Sequence, residues 1–205
     1  LMFIYNSFGV LYTHVDKFDL ALSNFEKVIE ISNHDLKFNL TASAYLNIGE
    51  LYYRLKKDYD SAAYYYQLSK ESASIQEKEV YSLTNSINLG NVYLATKKYD
   101  SAEKYYLSAL NNQLIEKYPY RKAAVLVNLG VFYLEIGKEN LATEYLNSGY
   151  QLSDELDILL FKKNALEGLY QLDSIKGNYF DAFIHYQEFH QASDSLQSDL
   201  TNNKI

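Results

Sequence analysis

Asn47, Asn88 and Asn128 recur at intervals of 41 and 40 residues. A primary amide offers two donors and an acceptor. Set in rows, such amides can hold the backbone of an extended peptide whatever its side chains. Other chemistries find less support. The glycines never cluster, so no loop could cradle a phosphate, and neither HExxH nor GxSxG occurs. Of the histidines, His14, His34, His185 and His190, only the last two are close in sequence. Five residues apart on a helix, they point about 140° away from each other and do not share a metal-facing side. The chain has no cysteine, which removes thiol catalysis, disulfides and thiolate metal sites. No catalytic residue, metal site or cofactor is expected.

The asparagines need a periodic scaffold, and the sequence supplies one. Each stands two residues before a glycine, Gly49, Gly90 or Gly130; Gly9 and Tyr170 extend that column, giving steps of 40, 41, 40 and 40 residues. Ser7 and Gly168 hold the asparagine place in the end units. Twelve residues after each of Gly9, Gly90, Gly130 and Tyr170 comes an alanine: Ala21, Ala102, Ala142 and Ala182. Ala62 follows Gly49 by 13, and the turn is expected to take up the extra residue. Phe18, Ala21, Phe25 and Val28 are spaced 3, 4, 3, as on one face of a helix. A fixed period of tens of residues marks a helical solenoid.

The pattern predicts helix pairs over 1–14 and 18–31, 36–55 and 59–75, 77–96 and 99–115, 119–136 and 138–156, and 158–176 and 178–196. The repeat units are then 1–35, 36–76, 77–117, 118–157 and 158–196, forming a single domain with 197–205 as tail or linker. Pro119 suits a helix start, Gly137 and Gly177 suit left-handed helix stops, and Asn178 suits an N-cap. The column glycines should allow close helix approach, with the alanines as small partners on the return helices. In the last unit Tyr170 replaces glycine and Asp173 replaces the usual tyrosine, so the helix separation there should change.

These columns resemble the tetratricopeptide repeat: a small residue after an apolar one, tyrosine three further on, then aromatic, alanine and aromatic in the second helix. The resemblance covers nearly the whole chain. It departs from the family in its period, which is usually 34 residues, and in the family's first-helix Trp, here Tyr5, Tyr45, Ser86, Leu126 and Leu166. Six extra residues lengthen each pair of helices by ~9 Å in total. Long-helix variants are known among bacterial regulatory receptors and kinesin light chains. The resemblance implies an all-α, right-handed superhelical solenoid whose first helices line a concave groove. It places Asn47, Asn88 and Asn128 on that groove as a peptide-binding ladder. Helix periodicity adds Asn91, Glu50 and Gln171 one turn on, then Arg54 and Glu135. The lysine clamp by which some members hold a terminal carboxylate is missing: its places hold Asn6, Leu46, Ile87, Val127 and Glu167.

Composition narrows the partners. The net charge of −7, with no basic stripe and only isolated lysine pairs at Lys56-Lys57, Lys97-Lys98 and Lys162-Lys163, argues against nucleic acid. No apolar run approaches the ~20 residues of a membrane span. Leu1 to Tyr5 is too short for a signal peptide core, and position 1 is not Met, as in an excised segment. Cytoplasm and periplasm both remain open. The tail from Asp194 to Ile205 resembles the segment closing such arrays in bacterial sensor kinases and transcriptional regulators. The expected role is a non-catalytic protein- or peptide-binding module of a larger signalling protein, with a free-standing adaptor as the alternative. Phe189, Ala192, Leu196 and Leu200 keep a 3, 4, 4 apolar spacing that carries on past the end of the last unit, so the final helix is expected to run to about Leu200 and to offer a surface for self-association.

Overall fold

In the computed structural model, which describes residues 1–34, 40–75 and 77–202, ten α-helices follow one another and no strand occurs among the described residues. They are α1 (Met2–His14), α2 (Phe18–His34), α3 (Thr41–Leu51), α4 (Tyr59–Ser72), α5 (Lys78–Ala95), α6 (Tyr99–Leu110), α7 (Pro119–Glu135), α8 (Glu139–Glu155), α9 (Leu159–Lys176) and α10 (Tyr179–Asn202). The expected unit boundaries near 35 and 76, the end of the tail and the side chain of Leu200 lie outside the described residues. The chain divides into two compact units, Leu1–Tyr105 and Tyr106–Ile205.

One turn chemistry joins the helices within each repeat. Asp16, Lys57, Lys97, Gly137 and Gly177 adopt left-handed φ values of 56, 55, 56, 73 and 77°. In four repeats the next residue's N–H reaches back five positions: Lys17 to Tyr12 O, Lys98 to Tyr93 O and Lys138 to Tyr133 O at 2.8 Å, and Asn178 to Asp173 O at 2.9 Å. This is a Schellman stop, which satisfies carbonyls that a helix end leaves open. Asn178 then stands at the N-cap, its carbonyl accepting from Ala182 N at 3.0 Å.

The extra residue of the second repeat is not in the turn. Residues 52–56 form a π-helical turn that continues α3 directly, and Asp58 N reaches Tyr52 O six positions back, at 3.3 Å. The helix absorbs the insertion as a bulge, and Lys57 still provides the left-handed exit. A second boundary differs from expectation: α6 ends at Leu110, not near 115. There Asn112 Oδ1 accepts from Leu114 N at 2.9 Å, an Asx turn that competes with helix, and a short 3₁₀ turn (Ile115–Lys117) follows.

The glycine column marks tight crossings, as expected. A Cβ on Gly9 would lie 2.4 Å from Phe25 Cε1, on Gly49 2.6 Å from Tyr66 Cδ1, and on Gly130 2.6 Å from Leu146 Cγ. The group filling each space is therefore the large residue one turn beyond the alanine. The alanines Ala21, Ala62, Ala102 and Ala142 are themselves fully buried. Above these crossings, tyrosines stack between the two helices: Tyr52 on Tyr65 at 5.4 Å, Tyr93 on Tyr105 at 5.3 Å and Tyr133 on Tyr145 at 5.4 Å.

The final repeat is built differently. Tyr170 meets Tyr186 edge-on at 5.5 Å, and the tyrosine stack is replaced by Asp173 and His185, whose Oδ2 and Nδ1 lie 2.8 Å apart. Helix α10 runs past Leu196, as expected. Its stripe, however, is largely covered: Phe189 packs on Tyr170, Ala192 is buried and Leu196 is half-buried. The exposed apolar groups of α10 lie on another face, at Tyr179, Phe180, Phe183 and Ile184.

Candidate functional site

In the first unit, Asn47 on α3 donates from Nδ2 to Asn6 Oδ1 on α1 at 3.1 Å. The amide row is thus tied to the neighbouring first helix here, and Asn6 joins the set through a contact that residue type at 40-residue intervals did not reveal. One turn on, Glu50 accepts from the Tyr66 hydroxyl at 3.2 Å and lies 3.8 Å from Arg54 Nε. Burial raises the Tyr66 pKa, and the negative charge of Glu50 raises it further, so the phenol stays a neutral donor. Arg54 is exposed; Asn88 and Asn91 are half-buried on α5.

The second unit holds a cleft of about 400 Å³ between α7 and α9, lined by Val127, Asn128, Val131, Leu134, Asn164, Glu167, Gly168 and Gln171. It brings together two expected residues, Asn128 and Gln171, with two that were not proposed for binding, Asn164 and Glu167. Asn164, Gly168 and Gln171 are spaced i, i+4, i+7 on α9; following the groove stripe one turn back from Gly168 would have reached Asn164. Glu135 is exposed at the end of α7 and is not among the residues lining this cleft.

The break in the asparagine row at Gly168 has a packing cause. A Cβ there would fall 2.7 Å from Leu146 Cδ2, so a side chain at that place would have to displace the end of Leu146. The cleft consequently has a low floor at Gly168, with amides from both helices and one carboxylate around it. Amides able to donate and accept suit an extended backbone, and Val131 and Leu134 give an apolar wall. A different depression, of about 520 Å³, opens by the α4–α5 connection between Lys70, Glu71 and Lys78; it contains none of the amide row. Among the described residues no group of His, Asp and Glu could hold a metal ion, and no helix is long and apolar enough to cross a membrane.

Paired helices joined by one type of turn and crossing at glycines define a helical repeat protein. The tetratricopeptide repeat pattern matches residues 1–73 and 81–155, and the chain belongs to that family. The crystal structure of BtubC (BKLC) from P. vanneervenii is similar in fold, with a TM-score of 0.75 and 20% sequence identity. That similarity covers 92% of this chain and 78% of BtubC. No curated protein matches the sequence. Repeats of this family generally mediate protein–protein interaction and serve as scaffolds without catalysis of their own.

Proposed function

We propose that this protein is a scaffold that holds an extended segment of a partner protein against its first-helix faces, with the α7–α9 cleft as its best-defined seat. The observation that carries this is the convergence of Asn128, Asn164 and Gln171 on one cleft with a glycine floor. Such groups read main chain, so affinity would depend little on the ligand's sequence; Glu167 would favour a basic side chain near it. The tail's resemblance to segments that close sensor arrays supports a place in a larger bacterial signalling protein.

The test begins with peptides selected on the wild-type protein from a displayed random library. Binding of a selected, labelled peptide is then measured by fluorescence anisotropy. The triple substitution Asn128→Ala, Asn164→Ala, Gln171→Ala is expected to weaken it about ten- to a thousandfold, at ~0.5–1.5 kcal/mol per hydrogen bond, with the melting temperature nearly unchanged. Undiminished affinity in a folded triple variant would place the peptide elsewhere and end this reading.

A further inference from the structure

One column of the repeat changes character in the third unit. Four residues before the glycine column stand Tyr5, Tyr45, Leu126 and Leu166, all large and largely apolar, but Ser86 in the third repeat. In the second repeat the Tyr45 ring lies 6.1 Å from the Tyr65 ring of the return helix, and both pack on the cluster around Phe25 and Ile48. Tyr105 holds the place of Tyr65, three residues after the column alanine. It stacks on Tyr93 at 5.3 Å, as Tyr65 stacks on Tyr52. The short side chain of Ser86 brings it no second ring.

The space left by that ring is open. It is the depression of about 520 Å³ by the α4–α5 connection, lined by Ser86, Leu89 and Tyr105 together with Lys70, Glu71 and Lys78. Ser86 and Leu89 are 4 and 2% exposed and form its base. Small-molecule sites typically measure ~300–1,000 Å³.

The neighbouring position departs in the same sense. Asn85 stands where the second, fourth and fifth repeats have Ala44, Val125 and Ala165. It is fully buried and donates from Nδ2 to Ser69 Oγ at 3.0 Å. Its Oδ1 meets no partner among the described residues. Ser69 in turn replaces Val28, Ala109 and Gly149 of other repeats. This junction thus gives up apolar packing at two adjacent positions of α5. Breaks in a local packing rule collect where a fold serves function at the expense of its own stability.

We propose that this recess binds a small aromatic carboxylate. Its ring lies against Tyr105 and Leu89, in the space that Tyr45 fills one repeat earlier, and its carboxylate lies between Lys70 and Lys78. The ring follows from the vacated column place, because Tyr45 on Tyr65 shows what that place accommodates. The charge follows from the lining, where two ammonium groups outnumber the one carboxylate of Glu71 in a chain of net charge −7. The recess shares no residue with the α7–α9 cleft, so the two sites stand or fall separately.

Isothermal titration calorimetry on the 205-residue chain tests this, with phenylacetate and indole-3-acetate as ring acids, benzyl alcohol as a ring without charge and acetate as a charge without ring. At least one ring acid should bind one to one, about tenfold or more tighter than benzyl alcohol or acetate, as a contact to a charged group implies. Ser86→Tyr, which rebuilds the ring of the second repeat, should abolish that binding while circular dichroism shows an unchanged helical fold. Ser86→Leu, the residue type of the fourth and fifth repeats, replaces it if the tyrosine variant does not fold. Lys70→Gln with Lys78→Gln should reduce the ring acid to the level of benzyl alcohol. Failure of both ring acids to bind overturns the proposal, and so does binding that persists in a folded Ser86 variant. Affinity for benzyl alcohol equal to that for the ring acids overturns the assignment of a carboxylate.

Discussion

The fourth and fifth repeats lie side by side in one compact unit and solve the same crossing in opposite ways. In the α7–α8 pair, Gly130 admits Leu146, and Tyr133 stacks on Tyr145 at 5.4 Å. In the α9–α10 pair, Tyr170 fills the glycine place, Tyr186 turns edge-on to it, and Asp173 with His185 replaces the stack. Leu146 is fully buried, whereas its counterpart Tyr186 is exposed. The changes come as a set: a ring at the crossing excludes a buried residue opposite it, and the elbow above exchanges two rings for a carboxylate–imidazole contact. The columns are thus coupled positions, and changing one member alone should cost more than exchanging the set.

The largest expected effect tests the tight crossing. In Gly130→Leu the new Cβ alone would fall 2.6 Å from Leu146 Cγ and 2.8 Å from its backbone N. A backbone atom cannot swing aside as a side chain can, so urea denaturation should show a loss of ~3 kcal/mol or more, at the upper end for overpacking. Tyr170→Leu, at the same place in the open repeat, should lose far less. Similar losses at both sites would show that the two crossings are equivalent.

The elbow gives an intermediate effect. His185→Tyr alone sets a phenol against the Asp173 carboxylate, and Asp173→Tyr alone leaves the imidazole facing a ring. The double variant should restore the stack seen in the second to fourth repeats and recover ~0.5–1.5 kcal/mol relative to the sum of the singles. Additive losses in a double-mutant cycle would mean the two places are independent.

The smallest effect concerns the exits. Lys97 and Gly137 hold the same left-handed place, with φ of 56 and 73°. A Cβ is disfavoured in that region by ~1–2 kcal/mol, and glycine gives back part of this through the freedom of its unfolded chain. Lys97→Gly should therefore raise stability by ~0.5–1 kcal/mol, and Gly137→Lys should lower it by a similar amount. A thermal melt in which Lys97→Gly is neutral or destabilising would show that the lysine makes a compensating contact.

The helix pairs, the glycine crossings and the left-handed stops at Gly137 and Gly177 were legible in the sequence because each is a local rule repeated at a fixed interval. What filled the glycine space was not: Phe25, Tyr66 and Leu146 share a column but not a chemistry, while the invariant alanine drew the eye. The exposed face of α10 was misplaced because periodicity marks every apolar stripe alike, and only the packing of Phe189 on Tyr170 shows which stripe is already used. Asn128 and Gln171 were recognisable as groove residues. Asn164 was not, since its place in the other units holds Phe3, Ser43, Thr84 and Ala124, with no common type to notice.

The π turn at residues 52–56 sets how the second repeat tolerates a change of length. A single codon added within an α-helix rotates everything beyond it by about 100°, which here would have turned either the Gly49 face or the exit at Lys57 away from its partner. Widening one turn returns both to phase, so such an insertion can be inherited without repair elsewhere. The second repeat thus carries 13 positions from Gly49 to Ala62 where the others carry 12 from the same column, without losing phase on either side. Deleting one residue of this turn would restore the 12-residue spacing of its neighbours.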